Sequence, residues 1–149
     1  MFTIRRILHP TDFSEYSQHA FHIAVDLARI HKASILVLHV ARPLSEEQVS
    51  FGEASQAQPA KYHHRLEEAE NEATGGAPGV TIERLVLDGE PAHVVARVAQ
   101  ERQCDLIVIG SHGRTGFRRI LMGSTAEHII RLAQCPVLTV KLPQEEPPR

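Results

Sequence analysis

Gly110, Gly113, Gly116 and Gly123 are four of the nine glycines in the chain and fall within fourteen positions. A glycine-rich loop lets a ligand come close to main-chain N–H groups. Gly123-Ser124 then opens a helical pattern. The first N–H groups of a helix have no internal partners and carry the positive end of its dipole. A loop and helix start of this kind suit an anion, a polyphosphate above all. Ser124 and Thr125 offer hydroxyl donors to the same oxygens, and Arg114, Arg118 and Arg119 make the loop locally positive. Ser124-Thr125-Ala126-Glu127 also reads as a capping box, with Ser124 on the helix start and Glu127 reaching back. Capping and phosphate binding draw on the same donors, so both readings stay open.

Asp12 is the second candidate, two residues after Pro10 stops a strand-like run. A carboxylate accepts hydrogen bonds from ribose hydroxyls or an exocyclic amine and repels phosphate. It also serves as a cap or dipole partner for a following helix, a role open to Ser14 as well. Ten histidines invite a metal reading. His19 and His22 share a helical face and His63-His64 is a pair, but neither has cysteine or carboxylate companions at ligand spacing. No metal site made by protein ligands is expected. Cys104 and Cys135 read as small buried thiols.

These groups must be positioned by short apolar runs that alternate with helical patterns. Ile4 to His9 reads as a first strand. Ser14 to Ala33 has apolar positions at Ala20, Ile23, Ala24, Leu27 and Ile30, the spacing of one helical face. Ser34 to Val40 is a near-continuous apolar run, as expected of a strand covered on both sides. Residues 41–60 turn to Pro, Ser, Glu, Gln and Gly and read as a long surface connection. Tyr62, Leu66, Ala69 and Ala73 mark a second helix, closed by Gly75-Gly76. Further strands are expected at Thr81 to Leu87, Asp105 to Ile109 and Pro136 to Lys141. Helices are expected after Pro91, burying Val94, Val95, Val98 and Ala99, and over Ser124 to Gln134. The tail, 143–149, reads as frayed. Five strands interleaved with four helices predict an α/β single domain, a doubly wound, Rossmann-like, five-stranded parallel sheet with helices on both faces. Ligands of such sheets sit beyond the carboxyl ends of the strands, where the strand order reverses.

The 149 residues suit one domain, and 42% hydrophobic with 23% charged residues is an ordinary globular balance. A net charge of −2 excludes a strongly basic nucleic-acid clamp. No apolar run approaches bilayer length, and Met1 to Arg6 enters a strand pattern without a long hydrophobic region. A cytoplasmic protein with no membrane partner is expected.

Gly110-x2-Gly113-x9-Gly123-Ser124 resembles the ATP-binding signature of universal stress proteins of the UspA type. Ile7 to Ser14, Ala33 to Val40, Cys104 to Gly113 and Cys135 to Leu138 look similar too, so the resemblance covers essentially residues 3–142. It implies strand order 3-2-1-4-5, with Asp12 and Gly110 facing across the crevice between strands one and four. In the ATP-binding branch the residues after strand one and at the end of strand two hold the nucleoside. That implies Pro10, Thr11, Asp12 and Val40 here. Ile109, Gly110, His112, Gly113, Arg114, Gly123, Ser124 and Thr125 would hold phosphates and ribose, with Mg²⁺ arriving on the ATP. The family also implies a homodimer through strand five, Val137, Leu138, Thr139 and Val140, whose hydrophobic edge would otherwise invite association.

The resemblance implies a non-enzymatic stress or signalling role, with slow ATP hydrolysis left open. No Gly-x4-Gly-Lys-Ser/Thr occurs, and the first βα turn contains no glycine. A phosphate-accepting receiver domain is the rival from another class. It would use Asp88 as acceptor, Asp12 for Mg²⁺, Ser111 and Lys141. It lacks the acidic cluster such a site prefers after strand one. An adenylyl-transfer enzyme is the third reading, and His9-Pro10-Thr11-Asp12 matches neither the His-x-Gly-His nor the Ser-Gly-Gly motif of those families.

Overall fold

The structure is a computed structural model and describes residues 1–41, 58–74, 79–113 and 122–143. Five strands carry the fold: β1 (Arg6–Pro10), β2 (Ser34–Ala41), β3 (Ile82–Asp88), β4 (Leu106–Gly110) and β5 (Val137–Val140). Between them run α1 (Glu15–His31), α2 (Gln58–Thr74), α3 (Pro91–Glu101) and α4 (Ser124–Leu132). All strand pairs are parallel, in the order β3-β2-β1-β4-β5. The expected doubly wound sheet is thus the observed one, and its order reverses between β1 and β4.

Alternation along the central strands explains their unbroken apolar runs. Ile7, Ile35, Val37 and Val108 face α1 and α2, where they meet Phe21, Val25 and Leu66. Leu8, Leu36, Leu38, Ile107 and Ile109 face the other way, against Val95 and Val98 of α3 and Ala126 and Ile129 of α4. A strand buried on both faces has no polar side to display. Edge strands do: β3 exposes Glu83, Arg84 and Asp88, and β5 exposes Leu138.

Element limits differ from the expected ones by one or two residues, with two instructive exceptions. Ala41 completes β2 and Gln58 begins α2, so the connection expected over 41–60 is shorter at both ends; its interior, 42–57, lies outside the described residues. On α1 the buried stripe is Ser17, Ala20, Phe21, Ala24, Val25 and Ala28, and Ile30 is 73% exposed. The helix carries apolar residues over a wide arc, so several rotations satisfy the periodicity. Packing against β1 and β4 selects the one that buries Phe21. Helix α2 is fixed to β3 by an ion pair: Arg84 Nε donates to both oxygens of Glu70, at 2.8 and 2.9 Å. Burial raises the Glu70 pKa, and the Arg84 guanidinium opposes that shift.

Candidate functional site

The crevice between the ends of β1 and β4 is built by two turns. After β1, the Thr11 hydroxyl accepts the Phe13 N–H at 3.1 Å, and Asp12 Oδ1 accepts the Ser14 N–H at 2.9 Å. Phe13 takes a left-handed φ of 63° between them, a conformation that costs a bulky residue on the order of 1 kcal/mol or more. Its ring is held against His39 and Tyr62, with the Arg65 guanidinium 4.0 Å from the ring centre. Ser14 is the N-cap of α1, its hydroxyl accepting the Ser17 N–H at 3.2 Å. Ser14 therefore does the capping, and Asp12 fixes the turn with one oxygen.

The other oxygen of Asp12 reaches across the crevice. A Cβ placed on Gly113 would lie 2.7 Å from Asp12 Oδ2, so only glycine leaves the carboxylate its position. Gly110 meets α1 instead: an added Cβ would fall 2.9 Å from the Tyr16 carbonyl carbon. Its missing side chain seats the first turn of α1 over the end of β4. Ile109 is buried beneath, among the residues facing α3 and α4.

Ser111 joins the crevice to β5 and α4. Its N–H donates to the Val140 carbonyl at 2.8 Å, and its carbonyl accepts the Gly123 N–H at 2.6 Å. Its buried hydroxyl lies 3.0 Å from His112 Nδ1, and the His112 ring packs 5.0 Å from Tyr16. Sequence reasoning noted Ser111 without giving it this linking part; its position one residue past a buried strand was the available signal.

Helix α4 corrects one reading. Its N-cap is Gly123 and not Ser124, and no side-chain hydrogen bond caps it. Ser124 and Thr125 are exposed in the first turn, and Glu127 pairs with Arg131 at 2.8 Å in place of reaching back. The capping box does not form because the Glu127 N–H donates to the Gly123 carbonyl at 3.0 Å, which makes Gly123 the N-cap and puts Ser124 one position inside the helix. Among the described residues, the start of α4 is thus a set of main-chain donors without a side-chain acceptor, next to Gly113. Arg114, with Gly116, Arg118 and Arg119, lies outside the described residues.

Val40 stands near the end of β2. The ladder between β1 and β2 closes with Thr11 N–H donating to the Leu38 carbonyl at 2.8 Å. Strand alternation turns the Val40 main chain to the same side as Leu38, beyond Pro10, where β1 has ended. Its N–H and C=O face the crevice, while its side chain packs with Leu87 on the α3 side. His39 bonds one position past the last β1–β2 pair, its Nδ1–H donating to the Thr11 carbonyl at 2.8 Å. His9, on β1, is opposite Val37.

A cavity of about 40 Å³ lies under α1 and α2, lined in part by His9, Thr11, Ser17, His22 and Glu70. It has room for a water or two. Asp88 ends β3, two strands away from β1, so it does not converge with Asp12. Burial pushes the Cys104 thiol up to about 11 and raises Cys135 as well, so neither is activated as a nucleophile. No helix among the described residues is long and apolar enough to cross a membrane.

A parallel sheet whose strand order reverses between β1 and β4, with a glycine-capped helix start beside that switch point, defines an α/β protein of the doubly wound class. Within that class the sequence profile of the Universal stress protein family matches residues 3–141, and the chain belongs to this family. It is 33% identical over 148 residues to universal stress protein MJ0531 of Methanocaldococcus jannaschii, an alignment covering 95% of this chain and 85% of that one. Among solved structures it superposes on MJ0577 of the same organism with a TM-score of 0.80 at 26% identity, covering 96% and 99% of the two chains. It shares its fold with a universal stress protein solved in complex with cAMP, with a TM-score of 0.71 at 23% identity and 93% and 98% coverage.

Proposed function

We propose that this chain is an ATP-binding universal stress protein, holding the nucleotide between β1 and β4 and acting without enzymatic turnover in a cytoplasmic stress or signalling response. The observation that carries the reading is the start of α4. Gly123 caps it without a side chain, and Ser124 and Thr125 stand exposed in the first turn beside its N–H groups. Such an end favours the negative charge of a phosphate. Gly113 supports it independently, because its absent Cβ keeps the Asp12 carboxylate in the crevice.

In this reading Asp12 accepts from ribose or an exocyclic amine, with Pro10 and Thr11 shaping the turn. The Val40 main chain reads the purine edge. His112, Gly113, Arg114, Gly123, Ser124 and Thr125 line the phosphates, while Ile109 and Gly110 serve by seating β4 and α1. Mg²⁺ would arrive with the nucleotide, partnered by phosphate oxygens. The cAMP complex is an adenine nucleotide on a chain of this fold; the assignment here rests on the crevice residues. The edge strand β5, with Leu138 exposed, supports a homodimer formed through Val137 to Val140.

A thermal-shift titration with ATP–Mg²⁺ tests the nucleotide. At a hundredfold excess over the dissociation constant the folded state should gain about 2.7 kcal/mol. Gly113→Val should reduce the shift strongly and Ser124→Ala more weakly. No shift with ATP, ADP, AMP or cAMP would remove the proposal.

A further inference from the structure

Outside the crevice, Glu90, His93 and His128 bring one carboxylate and two imidazoles together, with ligand atoms all within 4.8 Å of one another. Glu90 is the N-cap of α3 and His93 lies in its first turn; His128 comes from the second turn of α4. Glu90 Oε2 is 2.5 Å from His93 Nδ1, and Oε1 is 3.9 Å from His128 Nδ1. The two rings meet edge to face, 5.0 Å apart. All three side chains are solvent-accessible, and the helices carrying them are locked together by buried Val94, Val95, Val98, Ala126 and Ile129.

We propose that Glu90, His93 and His128 form a binding site for a divalent first-row transition ion of the Zn²⁺ type, with solvent completing its coordination. Four donors around Zn²⁺ at 2.0–2.2 Å stand about 3.3 Å apart in a tetrahedron. The observed separations bracket that value, and small side-chain rotations on a fixed backbone bring the three atoms to it. Two imidazoles and one carboxylate are donors suited to Zn²⁺, Co²⁺, Ni²⁺ and Cu²⁺, and too nitrogen-rich to favour Mg²⁺ or Ca²⁺. The carboxylate is already oriented: Glu90 accepts the Ala92 N–H at 3.3 Å and the His93 N–H at 2.9 Å. Those two amides hold the carboxylate in place at the start of α3 before an ion arrives. The outer shell that most metal sites need is thus supplied by the start of α3.

The sequence hides this site because His128 lies 35 residues after His93. It uses none of the crevice residues and does not depend on nucleotide binding. The test is Zn²⁺ titration into the nucleotide-free, chelator-stripped full chain by calorimetry, with Co²⁺ absorption reporting the coordination geometry. One site per chain is expected. His93→Gln and His128→Gln should each weaken it by about tenfold or more, while a His19→Gln/His22→Gln control binds as the parent does. Line broadening by Cu²⁺ in amide spectra of the unmutated chain should centre on residues 90–93 and 128, which needs no variant to fold. Absence of a stoichiometric site, broadening centred elsewhere, or binding that survives the His93→Gln/His128→Gln double change would overturn the proposal.

Discussion

His9 shows how much one buried residue can tie stability to pH. It is 1% exposed, stacks on Phe21, and its Nδ1–H donates to the Val108 carbonyl at 2.9 Å. Burial first of all lowers its pKa to about 4, against an ordinary 6.5. Between those values the unfolded chain takes up a proton that the folded chain refuses, so acid favours unfolding. Stability contributed by neutral His9 is full above pH 6.5 and is lost as pH falls to 4, by about 3 kcal/mol. Urea unfolding at pH 7 and pH 4.5 should show a steep fall for the parent and a shallower one for His9→Asn, whose amide can keep the bond to Val108. Equal slopes would mean that other groups carry the acid sensitivity. The residue types in the crevice were legible from the sequence, since glycine and aspartate each have few reasons to be where they are. The partner of each was not: Gly110 seats Tyr16, and Gly113 makes room for Asp12.

At the scale of elements, α4 sets a helix's own stability against the use of its end. A side chain at the N-cap would satisfy a main-chain donor, and Gly123 forgoes that. An added Cβ there meets nothing nearer than 3.4 Å, and its φ of −69° suits any residue. Gly123→Asp is therefore expected to raise the unfolding temperature slightly, by a few tenths of a kcal/mol in stability. The same carboxylate would occupy the anion seat, so the ATP-induced shift should disappear. A variant that binds ATP as the parent does would place the phosphates elsewhere. The capping-box reading failed because the helix starts one residue early. The Glu127 N–H donates to the Gly123 carbonyl at 3.0 Å, which makes Gly123 the N-cap and leaves Ser124 inside the first turn.

For the whole molecule the question is what covers β5. The strand ends the sheet with Leu138 38% exposed and Val137 and Thr139 partly so. The proposed pairing with a second copy predicts a dimer in sedimentation velocity at micromolar concentration. Leu138→Lys should shift it toward monomer while leaving the far-ultraviolet spectrum unchanged. A parent chain that sediments as a monomer would leave the edge to some other cover. Strand order belongs to this scale as well. Alternation of strands and helices reduces the topologies to a few, and resemblance to a family then points to one. The observed order puts Asp88 two strands from Asp12, too far apart for a shared phosphate-accepting site.

By itself the sequence determined the alternation of elements, the two-sided burial of β2, and the clustering of glycines ahead of a helix start. These follow from short-range sterics and hydrophobic periodicity, which act within a few residues. Tertiary structure decided what long-range contact alone can specify. It chose the rotation of α1 that leaves Ile30 in water, the side to which the Val40 main chain faces, and the helix packing that carries His128 to Glu90 and His93. Each depends on which surfaces are buried together, and no local window of residues contains that information.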